Sequence, residues 1–301
     1  MLSQRGRGSI AERNAKLILM VGVLGVSASA ILVRFSQAPS GVTAAYRLGW
    51  TVLLLLPVVL LRCRAELRRV TARDLVLCGA SGVLLALHFL TWFESLKRTS
   101  VASSTVLVST EVIFTALGFA LFLHGKIPRL GVWAILLAFG GSALLALSGG
   151  GGAGELSGNL LALAAASAAA VYTLIGRIQR GHLSTTVYTF LTYLACFLTL
   201  LLGTAAAGTP LTGYGGREWL IGLALAVLCT LLGHSLFSWC LKYLSPSYVS
   251  AAKLCEPVFS SLAAIPLFGE VPGPLQLAGG AAVLGAVLLY TWAEREKTPA
   301  G

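Results

Sequence analysis

Two glutamates stand in the middle of long apolar runs, where an ionised side chain is costly. Glu111 lies within the run 101–123 and Glu256 within the run 247–268. If such a run crosses a bilayer, an ionisable group costs about 2.5–3.5 kcal/mol and normally faces a cavity or a partner. The two carboxylates could line a central path, where they would bind an ammonium group or carry a proton. They could equally accept hydrogen bonds from neighbouring groups and hold the protein together.

Two basic residues occur in the same kind of surroundings. Lys253 precedes Glu256 by three residues, which places both on one face of a helix. Lys253 could pair with Glu256 and cancel its charge, or it could meet a substrate carboxylate. Arg47 lies about one turn inside the run 42–61, and its long side chain is predicted to reach the membrane interface.

Histidine, aromatic and hydroxyl side chains accompany these charges. Aromatic faces bind apolar side chains and ammonium cations, so such residues could line a cavity. Tryptophan and tyrosine near helix ends also serve as interfacial anchors, and hydroxyls also bind one helix to another. The candidate cavity residues of this kind are His88, His234, Trp92, Trp239, Tyr172, Tyr248 and Ser109.

One short motif suggests an enzyme instead. Gly79-Ala80-Ser81-Gly82 has the pattern of an intramembrane serine hydrolase. Such a serine needs a general base on a facing helix, for which His88 and His234 are candidates. Close packing of small residues at a helix crossing explains the same string. The sequence has no P-loop motif, which argues against ATP-driven pumping by this chain alone.

The composition determines the class of protein. Of the 301 residues, 56% are hydrophobic and 11% are charged, with a mean hydropathy of +0.85. A soluble domain has about 25% charged residues, and a disordered chain has low hydrophobicity, so both classes are excluded. The net charge of +11 is attributed to basic cytoplasmic loops rather than to nucleic-acid binding. None of the six cysteines forms a C-x-x-C pair, and we predict no disulfide, metal site or cofactor.

Ten apolar runs are long enough to cross a bilayer as helices. Counting Lys and Arg outside them gives 16 on one side and 4 on the other, which places both termini in the cytoplasm. The sequence therefore predicts an all-α integral membrane protein with ten transmembrane helices. The predicted spans are 16–34, 42–61, 75–93, 101–123, 130–148, 158–178, 185–207, 219–241, 247–268 and 274–293.

The chain also repeats itself. The strings LKRTSVASSTVLVSTEVIF and LKYLSPSYVSAAKLCEPVF align at an offset of 145, which pairs Glu111 with Glu256. A Gly/Ser linker at 148–157 separates a first repeat, residues 1–150, from a second, residues 151–301. Five helices per repeat is an odd number, so the second copy enters the membrane from the opposite side. We predict two inverted five-helix repeats around a central cavity, an arrangement typical of secondary transporters.

Two strings resemble a known family. Residues 255–290, CEPVFSSLAAIPLFGEVPGPLQLAGGAAVLGAVLLY, and residues 38–47, APSGVTAAYR, are similar to the EamA family of the drug/metabolite transporter superfamily. The first repeat departs from the pattern, since Val112 follows Glu111 where the family has proline, and His124-Gly125-Lys126 replaces Gly-Glu. The length and repeats resemble the ten-helix amino-acid exporters of that family.

This resemblance implies a carrier that exports hydrophobic or aromatic amino acids. The complete prediction is a secondary transporter of the inner membrane that works by alternating access, with a small-molecule substrate and membrane lipids as its partners. A multidrug or other metabolite carrier of the same superfamily is the nearest alternative, and the serine hydrolase is a more distant one.

Overall fold

The computed structural model describes residues 2–122, 129–148, 153–244 and 255–295, together with 246, 249, 252 and 253. Within those ranges, every regular element is helical. The elements are α1 (Leu2–Ser27), α2 (Ser29–Phe35), α3 (Ser40–Arg62), α4 (Arg64–Leu67), α5 (Ala72–Arg98), α6 (Val101–Val108), α7 (Glu111–Phe122), α8 (Arg129–Ser148), α9 (Ala153–Gln179), α10 (Thr185–Ala206), α11 (Gly216–Ala224), a π-helical segment (Leu225–His234), α12 (Ser235–Cys240), α13 (Cys255–Phe268) and α14 (Pro274–Arg295).

Within the described residues, seven helical stretches are long and apolar enough to cross a membrane. They are Asn14–Phe35, Ser40–Arg62, Ala72–Arg98, Val101–Gly118, Gly154–Gln179, Thr185–Ala206 and Gly216–Cys240. Three further apolar helices are shorter, at Arg129–Leu145, Glu256–Phe268 and Pro274–Tyr290. Each of these stretches overlaps one predicted apolar run. The protein is therefore a multi-pass membrane protein built of helices, as its composition predicts.

Two helices begin five or more residues before their predicted spans. α1 begins at Leu2, well before the predicted start at 16, because the basic N-terminal residues continue the helix. α9 begins at Ala153, so the helix takes in part of the predicted linker. A low apolar content marks the limit of the hydrocarbon but does not end a helix, and for this reason hydropathy misplaces helix ends.

Two predicted spans are interrupted in the middle. α6 ends at Val108, Ser109 and Thr110 form a turn, and α7 begins at Glu111. In the second half of the chain, Lys253 lies in a turn and α13 begins at Cys255. Both breaks contain a backbone hydrogen bond of i to i+3 type, from Ile113 to Thr110 and from Glu256 to Lys253, each 2.8 Å long. Each glutamate therefore lies in the first turn of a helix, where the helix dipole favours a negative charge.

The helices pack into a core that surrounds the middle of α5. This helix packs along α9 and contacts α10, while α3 contacts α10 and the π-helical segment. α1 packs against the π-helical segment and α12, and both α6 and α7 pack against α9. Small and large apolar side chains from these helices form the largest buried cluster, which includes Ala45, Leu48, Leu85, Phe89, Tyr193, Cys196 and Leu225.

α8 and α14 form a separate pair that approaches closely at two glycines. A Cβ atom added at Gly141 would lie 2.9 Å from the carbonyl oxygen of Gly279. A Cβ atom added at Gly279 would likewise lie 2.9 Å from the carbonyl oxygen of Gly141. Small residues allow such backbone contact between membrane helices, which associate through packing rather than through the hydrophobic effect.

Candidate functional site

An internal cavity lies among the helices of both halves of the chain. Its volume is about 40 Å³, which admits a few water-sized groups, so a larger substrate requires the surrounding helices to move. Charged, aromatic and apolar side chains share the lining. The lining residues are Val26, Ser29, Arg47, Leu85, His88, Trp92, Val108, Ser109, Glu111, Ala169, Tyr172, His234, Phe237, Lys253 and Glu256.

A buried ion pair joins the two halves at this cavity. The Lys253 ammonium lies 2.9 Å from Glu111 Oε2 and 3.1 Å from Glu111 Oε1. Thr173 Oγ1 also donates a hydrogen bond to Glu111 Oε1, at 2.9 Å. Only 15% of the lysine side chain and 7% of the glutamate side chain are exposed. Lys253 thus pairs with Glu111 across the protein, and the interpretation that it cancels the charge of Glu256 on its own helix is wrong.

Arg47 is completely buried in the cavity wall, so the prediction that it reaches the membrane interface is also wrong. Its Nε donates to Thr230 Oγ1 at 2.7 Å and its Nη1 to Ser29 Oγ at 3.2 Å. The guanidinium carbon lies 4.2 Å from the centroid of the Phe89 ring, a cation–π contact. Among the described residues, its Nη2 has no hydrogen-bond partner.

Glu256 lines the same cavity from α13. The residue is buried, with 9% of its surface exposed. Its Oε1 has no hydrogen-bond partner within the described part of the chain. The hypothesis that both glutamates only accept hydrogen bonds from neighbouring groups therefore agrees with the contacts of Glu111 better than with those of Glu256.

The two histidines meet at the cavity, with ring centroids 6.3 Å apart. His88 forms a 3.0 Å hydrogen bond between Nδ1 and the carbonyl oxygen of Ala165. His234 ends the π-helical segment, and its offset of 146 from His88 exceeds the repeat offset of 145 by one. A π turn holds one residue more than an α turn. The extra residue falls within or close to this segment, and both histidines line the cavity.

The other predicted cavity residues divide into two groups. Trp92, Tyr172 and Ser109 line the cavity with the charged groups. Trp92 stacks on His88 at 5.8 Å, and its Nε1 has no hydrogen-bond partner among the residues described. Trp239 lies away from the cavity and packs on Tyr243, with ring centroids 4.6 Å apart. Tyr248 lies outside the described residues.

Sequence reasoning missed Arg47 although a signal was present. The residue lies seven positions after the start of α3 at Ser40, within an otherwise apolar stretch. An ionisable residue inside the membrane normally faces a functional cavity, and this expectation holds for Arg47 as it does for the glutamates. Phe237 is another lining residue that was not predicted, and in the sequence it is indistinguishable from the many apolar residues around it.

Ser81 shows no sign of activation as a nucleophile. Its hydroxyl is buried and lies 3.0 Å from the hydroxyl of Tyr188. A Cβ atom at neighbouring Gly82 would lie 2.6 Å from the carbonyl oxygen of Thr192, so α5 and α10 are in backbone contact here. Gly82 and Ser81 therefore lie at a close helix crossing, whereas a Cβ atom added at Gly79 would contact nothing within 4 Å.

A cluster of polar contacts lies at the end of α2. Arg34 Nη2 forms a 2.5 Å ion pair with Glu270 Oε1, and Arg34 Nη1 donates to the carbonyl oxygen of Leu96 at 2.7 Å. Glu270 Oε2 also accepts the backbone N–H of Val101 at 2.8 Å. This cluster, which we call the Arg34 cluster, connects α2 and α5 to α6 and to the segment before α14.

A related contact lies near the end of α9. Arg177 Nη1 donates to the carbonyl oxygen of Leu241, and also to that of Leu244 at 3.3 Å. Leu241 is the residue at the repeat offset of 145 from Leu96, which accepts from Arg34. The two arginines thus make the same kind of contact at corresponding places in the two halves of the chain.

These helices and the cavity define a multi-pass membrane protein with a charged site enclosed between its helices. Residues 14–147 and 156–292 each match the EamA-like transporter family. The chain belongs to the EamA-like transporter family, and the resemblance inferred from the sequence is confirmed. Members of this family are transporters, so the chain is a transporter rather than a hydrolase.

Curated relatives of low identity include two exporters. The chain is 24% identical to the pseudopaline exporter CntI of Pseudomonas aeruginosa over 207 residues, which cover 69% of this chain and 72% of the relative. It is 28% identical over 233 residues to a probable terminal-alkyne amino-acid exporter of Streptantibioticus cattleyicolor, covering 74% of this chain and 75% of that protein. A solved crystal structure shares the fold, with a TM-score of 0.64, 20% identity, and coverage of 95% of this chain and 99% of the other.

Proposed function

We propose that this protein is a secondary transporter that exports amino acids or closely related metabolites by alternating access. The observation that carries the proposal is the enclosed cavity, where Glu111, Lys253 and Glu256 lie among aromatic and apolar side chains. Ligand sites typically combine an apolar wall with a few placed polar groups. Residues 1–150 and 151–301 form its two repeats, and the two matches to the family lie on either side of the linker.

The packing of the helices supports an inverted repeat of five spans. Exchanging the repeats turns the contact of α5 with α9 into the contact of α1 with the π-helical segment and α12, and both exist. It also turns the contact of α7 with α9 into that of α13 with α1, which exists as well. The breaks before Glu111 and Glu256 correspond in the same way. Discontinuous helices at the repeat interface are a common feature of transporter binding sites.

The inverted repeat predicts that equivalent loops face opposite compartments. We expect a cysteine at position 97 to react with a membrane-impermeant maleimide in intact cells. A cysteine at position 242 should react only after the cells are permeabilised. Lys97 and Lys242 are both exposed, and the residues are separated by the repeat offset of 145. Each cysteine is introduced into a variant without the six native cysteines, and labelling of intact cells is compared with labelling of permeabilised cells. Labelling of both positions from one side would exclude the inverted architecture.

The same experiment tests the proposed orientation. The excess of basic residues in one set of loops supports a bacterial inner membrane with both termini in the cytoplasm. In that orientation the Arg34 cluster lies on the external side, and the Arg177 contact lies on the cytoplasmic side.

The substrate class is supported by the names of relatives and by the cavity. One relative is a probable exporter of a terminal-alkyne amino acid, and the other is a pseudopaline exporter. The aromatic rings of Trp92, Tyr172 and Phe237 offer apolar contact for a side chain, which favours hydrophobic and aromatic amino acids. The pseudopaline exporter makes a carrier of another metabolite the second candidate.

Purified protein in liposomes should transport radiolabelled hydrophobic amino acids, and Glu256→Gln should reduce that flux at least tenfold. A hydrogen bond to a charged group contributes about 1.5–3 kcal/mol, and 1.4 kcal/mol corresponds to a factor of ten. Glu94→Gln is the matched control because Glu94 is half-buried, lies outside the cavity lining and pairs with Arg98. Ser81→Ala should also leave transport unchanged.

The outcomes of this assay separate the candidates. Full flux in Glu111→Gln/Glu256→Gln liposomes would make both carboxylates structural. Transport of a cationic drug without transport of any amino acid would identify a multidrug carrier. Parallel measurements with and without a pH gradient determine whether export is coupled to protons.

A further inference from the structure

Two buried ionic groups of the cavity have unused hydrogen-bonding capacity. Arg47 is completely buried and its Nη2 has no partner, while Glu256 is 9% exposed and its Oε1 has none, within the part of the chain that the structure describes. An unpaired buried group of this kind is costly, and native proteins rarely leave one without a role. The positive group comes from α3 in the first half and the negative group from α13 in the second.

The two groups do not neutralise each other directly. No ion pair within 4.0 Å joins Arg47 to Glu256 among the described residues. The remaining two charges of the cavity, on Lys253 and Glu111, are engaged with each other. The cavity lining therefore contains two positive and two negative side chains, of which one of each sign retains a free polar atom.

We propose that these groups bind the two charges of an α-amino acid zwitterion. The proposal rests on the proposed function and specifies how that site recognises its substrate. Arg47 Nη2 donates to the substrate carboxylate, a group that the planar guanidinium matches well. Glu256 Oε1 accepts from the substrate ammonium, and the walls formed by Trp92, Leu85 and Phe237 contact the side chain.

Charge balance explains why a zwitterion fits better than a simple ion. A ligand with only a carboxylate leaves Glu256 Oε1 without a partner, and a ligand with only an ammonium leaves Arg47 Nη2 without one. A site built to bond a polar group rejects an analogue that lacks it, because its own groups then remain unpaired.

The test compares three ligands that differ only in these charges. L-Phenylalanine, phenethylamine and 3-phenylpropionate compete against labelled amino-acid uptake into proteoliposomes, and L-leucine is tested with its decarboxylated and deaminated analogues. We expect the wild-type protein to bind each amino acid at least tenfold more tightly than either analogue, since a charge-assisted hydrogen bond is lost. Equal competition by amine and amino acid would overturn the role of Arg47, while amino-acid transport itself, and with it the proposed function, would remain.

Two variants assign each charge to its partner. Arg47→Met should lose the preference for phenylalanine over phenethylamine and keep the preference over 3-phenylpropionate. Glu256→Gln should show the reverse pattern. The ratios of the three ligand affinities do not depend on the amount of folded protein. If Arg47 is only structural, Arg47→Met lowers all three affinities by the same factor, and this result would contradict the proposal.

The matched control is Arg98→Met, which removes an exposed arginine and should leave all ratios unchanged. If Arg47→Met does not fold, Arg47→Lys and the wild-type ratios decide, because lysine keeps the charge but lacks the planar pair of donors. Absence of uptake for every amino acid in the wild type would overturn both this inference and the proposed function.

Discussion

The free energy of unfolding of a Lys253→Met variant should be about 3–5 kcal/mol lower than that of the parent protein. This is the usual cost of removing one partner from a buried ion pair. The Lys253 ammonium contacts both carboxylate oxygens of Glu111, and little of either side chain is exposed. Removal of the lysine leaves a buried carboxylate without its cation. Reversible unfolding in detergent micelles, followed by tryptophan fluorescence, measures the change.

The double variant Glu111→Gln/Lys253→Met should recover most of this loss. Replacing a buried ion pair by neutral groups of similar volume is often neutral or stabilising, because neither charge has to be desolvated. The exposed pair of Arg98 and Glu94 provides the matched control. Arg98→Met should cost no more than about 1 kcal/mol, as is usual for surface pairs. An equal effect of Lys253→Met and Arg98→Met would contradict the buried pair.

The position of this pair also explains why the cavity is narrow. Glu111 begins α7, Thr173 lies on α9, and Lys253 precedes α13, so three elements meet at one carboxylate. Widening the cavity for a substrate requires these elements to separate. The pair is therefore a structural restraint on the present conformation, whereas Arg47 and Glu256 each have one polar atom without a hydrogen-bond partner in the described part of the chain.

Hydropathy predicted most of the helices because a helix that crosses lipid must be a long apolar run, and such runs are visible in the sequence. Each apolar stretch in the structure overlaps a predicted run, and family membership supports the repeat-based resemblance. The helix breaks at Ser109 and Lys253 are not visible in this way. A broken helix is as apolar as an intact one, and its free backbone groups are satisfied by local turns that composition does not reveal.

The sequence predicts which charged residues line the cavity better than it predicts which of them pair with each other. Charged residues at membrane depth were expected to meet at a cavity, and Glu111, Lys253 and Glu256 all line it. Helical spacing suggested a partner for Lys253 three residues away, yet the ammonium reaches Glu111, 142 residues away in the chain. A partner on another helix depends on tertiary packing, which a single sequence does not specify.

A Glu270→Gln variant should shift the conformational equilibrium toward the state open to the proposed external side, by about tenfold. The ion pair with Arg34 is only partly exposed, at 26% and 20% for the two side chains. Allowing for partial solvent screening, its loss should cost about 1–2 kcal/mol, and 1.4 kcal/mol is a factor of ten in an equilibrium constant. Glutamine retains an oxygen to accept from Val101, so the start of α6 keeps its bond.

The measurement uses a cysteine at Ser109 in the cavity, introduced without the native cysteines. Its rate of reaction with an impermeant maleimide from outside should rise in Glu270→Gln and stay unchanged in Glu94→Gln. Arg177→Met removes the corresponding contact at the other end and should lower the external rate, because it favours the state open to the cytoplasm.

The two ends of the protein are not equivalent in charge. After a deletion of one residue, the repeat alignment pairs Gly125 with Gly269 and Pro128 with Pro272. Lys126, which lies outside the described residues, then corresponds to Glu270. Arg34 thus pairs with an anion, Glu270, in the structure. The first repeat has a cation, Lys126, at the position that corresponds to Glu270. If Glu270→Gln raises the external reaction rate and Arg177→Met lowers it, the two contacts hold opposite sides of the protein closed during transport. An unchanged external rate in Glu270→Gln would mean that the packing of helices alone closes that side.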